Sequence, residues 1–285
     1  MVDISKQKVT GAGKRVNQAI DVSAEKLQRQ IDRLFNRFFR SYSSLISGQK
    51  DIDLIKAARI NEEARVLVQE AGLGEVLDAY LEEFPTLQRK SLRYFSEIGL
   101  DTDLNELNRT NLSLFANNAV IDLEATIDRR LLLPLEDALL DGVVGNLDDS
   151  QIVSSLMNVQ DTFSSREVDN FFGDTYNSFN QMVSNAKAEE LGMAIYSYAG
   201  PFDKVTSAPC RDILLGAPHG VPGLYLKEEI HNGMVPGITA PNVFINGTHF
   251  NCRHQWIPVT IQYARDIGAD FPKTATKRIE KQEAL

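Results

Sequence analysis

His249-Phe-Asn251-Cys252-Arg253-His254 places an imidazole, a thiol and a second imidazole within six residues. These are borderline and soft donors, the set that zinc takes. In a strand or tight turn, residues 249 and 252 can converge on one point while 252 and 254 share a face. Cys210, 42 residues before Cys252, completes a tetrahedral set of Cys210, His249, Cys252 and His254 if the chain between them folds back. Closing that loop on a metal rigidifies a small domain with little core. The same atoms suit three other chemistries. The cysteines could be buried small hydrophobes, with the histidines bonded to backbone carbonyls. Cys210 and Cys252 could form a disulfide outside a reducing compartment. Cys252 beside His249 or His254 could be an activated thiolate, the basis of a Cys/His-dependent thiol hydrolase; with a metal, the cluster would serve a nuclease.

Few other residues offer chemistry. His219 and His231 lie in loops rich in Gly and Pro and read as solvent-facing. Asp203, Asp212, Glu228 and Glu229 show no pairing that argues for acid–base work. There is no Walker loop, dinucleotide fingerprint or HExxH pattern.

The segment holding these residues differs from the rest of the chain. All four His, both Cys and the single Trp fall between Cys210 and Trp256, and seven of the ten Pro between Pro201 and Pro258. Ala194–Tyr198 alternates like a strand, a helical turn is expected near Leu226–His231, and further strands at Asn242–Ile245 and Gln255–Ile261. What precedes Gly192 reads as almost unbroken helix. Leu27, Ile31, Leu34, Phe35, Phe38, Tyr42 and Leu45 form one apolar stripe after the plausible caps Asp21 and Ser23. Lys26, Arg29, Arg33, Arg37 and Arg40 lie largely off that stripe. They make a basic face that is either simply solvated or turned to a partner or to DNA, while the stripe packs on the chain's own body, in a partner groove or on a membrane surface. A break is expected at Gly72-Leu-Gly74, others at Phe84-Pro85 and Gly99, and a new helix after Asp101 or Thr102. Pro134 should kink or restart that helix, and two more follow over roughly 148–159 and 163–192. The expected fold class is mainly α, an elongated helical body with a small α+β C-terminal module. The expected divisions are a flexible arm (1–20), a helical body (21–195, its basic first helix 21–47), a Cys/His-containing module (196–260), and a short helix with a polar tail (261–285).

Composition is that of a soluble globular chain, 43% hydrophobic and 24% charged over 285 residues. No apolar run approaches a bilayer span, so no membrane partner is expected. No secretory leader is evident, and synthesis in a cytoplasm is expected. The net charge of −9 is unevenly spread: +6 over residues 1–50, −16 over 51–195 and +1 over 196–285. Such polarity suits a protein lying between other macromolecules.

Tyr198-Ala-Gly200-Pro201-Phe-Asp203-Lys-Val-Thr206, then Cys210-Arg211, a Gly-rich interval and His249-Phe-Asn251-Cys252-Arg253-His254 form an ordered series. It resembles the C-terminal module of tailed-phage minor head proteins, the MuF-like head morphogenesis family. The likeness covers about 60 residues, and the helical layout extends it loosely along the chain. Two positions depart from the family pattern. Ser207 stands where many members have the first Cys of a Cys-x-x-Cys pair, and His254 where many have a final Cys, so four ligands need both His249 and His254. The resemblance implies a structural minor head protein rather than an enzyme. It would sit in the virion, at the portal vertex or capsid interior, in multiple copies. Its partners would be the portal protein, the major capsid protein or packaged DNA, with roles in head assembly and DNA delivery. On that reading, loss of residues 1–48 abolishes incorporation while leaving the fold intact.

Overall fold

In the computed structural model, Leu27, Ile31, Leu34, Phe38 and Tyr42 are all buried on one face of a single long helix, α1 (Ile4–Ser47). The structure describes residues 4–47, 49–162, 165–204, 206–235, 238, 244 and 254–283. α1 begins at Ile4, ahead of the expected caps and through the segment read as a flexible arm. Val16, Ala19 and Ile20 extend the apolar stripe and are buried. At about 1.5–3 kcal/mol per large buried side chain, such packing outweighs the ~1 kcal/mol that Gly11 or Gly13 costs in a helix interior. Ser23 does not cap; it is buried and donates to Glu83 Oε2 at 2.8 Å. Deleting residues 1–48 would therefore remove core, contrary to the expectation that the fold survives without them.

The remaining helices follow their caps. α2 (Leu54–Glu70) starts where Asp53 accepts from Lys56 N–H at 2.8 Å. The expected break at Gly72 is present, with φ +107 there. α3 (Leu73–Glu97) then runs unbroken through Pro85, against the expected stop. Phe84 and Leu87 flank the proline and are buried, so packing holds a turn that has lost a hydrogen bond. α4 (Glu106–Ile127) is capped by Asn105, which accepts from Asn108 N–H at 2.8 Å; Asp101 and Thr102 lie before it. A π-helical turn, Asp128–Leu132, leads into α5 (Leu133–Val144). Pro134, expected to restart the helix, occupies its first turn, where a missing N–H is tolerated. α6 (Asp149–Thr162) and α7 (Ser165–Glu190) complete the series. Among the described residues no helix is long and apolar enough to cross a membrane.

The chain divides into two compact units. One comprises Ser23–Glu83 and Asn117–Phe171. Its core takes the α1 stripe, Ile60, Ala64 and Val68 from α2, and Leu123, Ile127, Leu131 and Leu139. Arg65 joins α2 to the π turn through Asp128 at 2.6 Å and to α5 through Glu136 at 3.5 Å. The α5–α6 approach depends on Gly142, where a Cβ would lie 2.8 Å from Ile152 Cγ1.

The other unit comprises Met1–Val22, Phe84–Ala116 and Phe172–Leu285, so the Cys/His module packs with parts of α1, α3, α4 and α7. Its sheet has the order β2-β1-β3, antiparallel throughout: β1 (Ile195–Ala199), β2 (Leu224–Leu226) and β3 (Gln255–Val259). α8 (Ala208–Leu215), α9 (Lys227–His231) and α10 (Ile261–Asp266) surround it. The expected strand at Asn242–Ile245 lies outside the described residues apart from Phe244, which is buried. Aromatic rings fill the core beside α3: Phe84 meets Phe179 at 4.8 Å and Tyr176 at 5.4 Å, both edge-on. Tyr94 of α3 donates to Pro258 O of β3 at 2.8 Å. Lys187 of α7 is buried, and its ammonium donates to Asp101 Oδ2 (2.9 Å), Asp103 O (2.6 Å) and Glu190 Oε2 (3.3 Å). That network pins the 101–105 loop onto α7. The C-terminal stretch expected as a polar tail is instead helix α11 (Lys273–Glu283), with Ala275 and Ile279 buried. It packs so close that a Cβ on Gly192 would meet Gln282 O at 2.5 Å.

Candidate functional site

β1 carries Tyr198 next to the end of its strand, opposite Trp256 in the β1–β3 register. Tyr198 N–H donates to Gly223 O at 2.7 Å, and Gly223, with φ +71, admits that close approach. The Tyr198 ring is buried and lies 5.2 Å from the His254 ring at 15°, a stacked pair, and 4.6 Å from Trp256. Its hydroxyl lies 3.2 Å from Cys210 Sγ in the first turn of α8, and either atom can donate. Tyr198 thus touches both described members of the expected ligand set.

His254 is buried immediately before β3, and its Nε2 lies 2.9 Å from Pro201 O. A carbonyl only accepts, so Nε2 carries the proton, and the neutral ring then has its lone pair on Nδ1. The loop that presents Pro201 O is itself braced. Thr206 Oγ1 accepts from Asp203 N–H at 2.9 Å and lies within donating distance of Pro201 O (3.1 Å) and Asp203 Oδ1 (3.2 Å). Arg211 donates to Thr206 O at 3.2 Å, and its guanidinium sits 5.9 Å over the Phe202 ring. Gly200 lines the imidazole: a Cβ there would sit 2.8 Å from His254 Cγ and 3.0 Å from its Cα. The Gly-Pro-x-Asp-x-x-Thr stretch is therefore a cradle that fixes the orientation and tautomer of one histidine.

Cys210 and His254 are the described half of the set Cys210, His249, Cys252 and His254; His249 and Cys252 lie outside the described residues. Among the described residues, no three His, Cys, Asp or Glu side chains converge as a metal site. The donor chemistry of Cys210 Sγ and His254 Nδ1 suits zinc, which would supply a cross-link between α8 and the start of β3.

One further group differs from expectation. His219, read as solvent-facing, is buried, with Nε2 2.9 Å from Glu229 Oε2 and its ring 4.5 Å from Phe271. Glu229, which showed no sequence pairing that argues for acid–base work, also accepts from Leu226 N–H at 2.7 Å and so joins the His219 loop to the start of α9. Ten residues separate this pair, too far for a helical spacing to reveal. Glu228 pairs with Arg278 of α11 at 2.8 Å. Tyr225 donates to Ile213 O at 2.9 Å, and burial, with Glu229 adding to it, pushes its phenol up to about 12. His231 is exposed, as expected.

The five residues of the basic helix, Lys26, Arg29, Arg33, Arg37 and Arg40, are all exposed on the side of α1 away from its buried stripe. Lys26 pairs with Glu83, and Arg37 reaches Ala71 O at 3.5 Å. Arg29, Arg33 and Arg40 make no ion pair among the described residues. At 1.5 Å per residue the row spans roughly 20 Å. The chain matches no protein-family model, no curated protein and no solved structure.

Proposed function

We propose that this chain is a structural, non-enzymatic protein of a tailed-phage head. On this reading it sits at the portal vertex or capsid interior in multiple copies, bound to the portal or major capsid protein. The observation that carries the reading is the way the ordered motif closes on itself. Its leading part, Tyr198 to Thr206, and its last residue, His254, are some fifty residues apart in sequence, yet they meet through the Tyr198–His254 stack and the Pro201 carbonyl. The described parts of a motif that resembles the head-protein series in order thus also pack against one another. The row of exposed arginines on α1 supports a polyanionic neighbour, because guanidinium groups along one helix face suit successive phosphates or a carboxylate-rich surface. That neighbour is packaged DNA or an acidic face of the portal or capsid. The role is assembly of the head and passage of DNA from it.

The test is charge reversal rather than deletion, since α1 is core. Phage carrying Arg29→Glu, Arg33→Glu and Arg40→Glu together should yield heads holding at least tenfold less of this chain. The purified variant should keep the helical circular dichroism of the parent. Undiminished incorporation of the folded variant would overturn the assignment of this face.

A further inference from the structure

The last turns of α1 and the middle of α6 leave a cavity of about 330 Å³ between them, at the lower end of the roughly 300–1,000 Å³ typical of small-molecule pockets. Phe39, Tyr42, Ile46, Val153, Leu156 and Met157 make its wall predominantly apolar. All six belong to the unit comprising Ser23–Glu83 and Asn117–Phe171. Ser43 Oγ, 3.9 Å from Met157 Sδ, brings the two helices together at its edge. Among the described residues no charged side chain lines it.

One polar group in this wall is unsatisfied. Tyr42 is 2% exposed and its ring stacks on Phe38 at 5.4 Å, yet its hydroxyl has no hydrogen-bond partner among the described residues. A buried donor left unmade costs folding free energy, and a ligand atom in the cavity would recover it. Burial raises this phenol above its usual range, so it stays protonated and able to donate. The serines at the cavity do not substitute for it: Ser44 Oγ donates to Arg40 O at 3.1 Å and Ser47 Oγ to Ser44 O at 3.3 Å. We infer that the cavity binds a small, neutral, largely apolar molecule carrying one hydrogen-bond acceptor, to which the Tyr42 hydroxyl donates. An ion would lose its hydration there against no lining countercharge. A peptide strand fits poorly, because each residue it buried would bring an amide and a carbonyl to a wall with one spare donor. The inference rests on this unit alone and is independent of the virion reading.

Acetophenone and isopropylbenzene, alike in shape and differing in the carbonyl, are titrated into the full chain by ligand-observed NMR. The parent should bind both saturably. Tyr42→Phe should weaken acetophenone by roughly three- to tenfold, the loss of one hydrogen bond, and leave isopropylbenzene unchanged. Its urea midpoint should stay at or above the parent's, because the change removes an unpaired hydroxyl. Met157→Trp, at a position 41% exposed, should fill the cavity and abolish binding of both probes. Ser154→Trp, exposed on the same helix but off the cavity, should leave both bound. No saturable binding of acetophenone would overturn the site, as would binding that survives Met157→Trp. An equal effect of Tyr42→Phe on the two probes would overturn the role of the hydroxyl. So would a midpoint well below the parent's, since it would mean that the hydroxyl is already bonded.

Discussion

Gly200→Ala should destabilise the module, although the same change is mildly favourable where a Cβ fits the native backbone. Restricting the unfolded chain is worth about 0.4–1 kcal/mol where the native backbone accepts a Cβ. At Gly200 the added carbon would lie 2.8 Å from His254 Cγ. The imidazole has little room to yield, since its Nε2 is bonded to Pro201 O and its face is stacked on Tyr198. Swinging it aside loses a hydrogen bond of about 0.5–1.5 kcal/mol and an aromatic contact of similar size. Leaving it in place costs overpacking of about 1–3 kcal/mol. The net effect is a loss of about 1–3 kcal/mol, or a urea midpoint lower by about 1 M at a slope near 2 kcal/mol/M. Fluorescence of Trp256, the single tryptophan, reads the transition beside the site. The decisive comparison is the double-mutant cycle. In a His254→Ala background most of the cost of Gly200→Ala should vanish, short of a residue from the 3.0 Å approach to Cα at position 254. A Gly200→Ala protein as stable as the parent, or an equal cost in both backgrounds, would refute the cradle.

Three further perturbations have definite signs. Lys187→Met keeps volume but leaves Asp103 O and the half-buried Glu190 without their cation; a loss of about 2–4 kcal/mol is expected by urea titration, and an unchanged midpoint would show that the network holds nothing. The Lys187 hydrogen bond, with backbone N–H groups, holds the Asp101 carboxyl below its usual range; at Glu190 burial works upward but is outweighed by Asn105 N–H, Asn108 and Lys187, so its carboxyl is also lowered. Folded-state values below the unfolded ones contribute stability above about pH 4 that is lost as pH falls through the folded values, so the acid limb of midpoint against pH should be shallower in Lys187→Met than in the parent. Glu283 runs the other way, because burial raises its carboxyl; its contribution is greatest in acid and declines as pH rises through the folded value, so Glu283→Gln should gain midpoint relative to the parent between pH 4 and pH 7. Gly142→Ala should cost about 1–2 kcal/mol through contact with Ile152 Cγ1, whereas in an Ile152→Ala background it should become stabilising, and equal effects in the two backgrounds would refute the close α5–α6 approach.

Periodicity made most of the fold legible. The α1 stripe, the break at Gly72, the restart at Pro134 and the strand at Ala194–Tyr198 each follow from local pattern and appear in the structure. The misses have a common cause, which is packing from distant residues. Pro85 stays inside α3 because Phe84 and Leu87 are buried, and residues 4–20 are helical because Val16, Ala19 and Ile20 find a core. The C-terminal stretch reads as polar, yet two residues four apart, Ala275 and Ile279, suffice to dock it as a helix. At the site, residue type pointed to Cys210 and His254, but neither the Tyr198 hydroxyl on the sulfur nor the Pro201 carbonyl on the imidazole leaves a spacing signature. The His219–Glu229 pair was hidden for the same reason.

The most direct measurement of the proposed head-protein role is the copy number of this chain in purified, DNA-filled phage heads from cells that express it, by quantitative mass spectrometry against the portal protein. A number comparable to the portal count is the result expected of a minor head protein at the portal vertex or capsid interior. Absence from the heads would contradict the virion assignment and favour a Cys/His-dependent hydrolase or nuclease, while a count matching the major capsid protein would make the chain a lattice component instead.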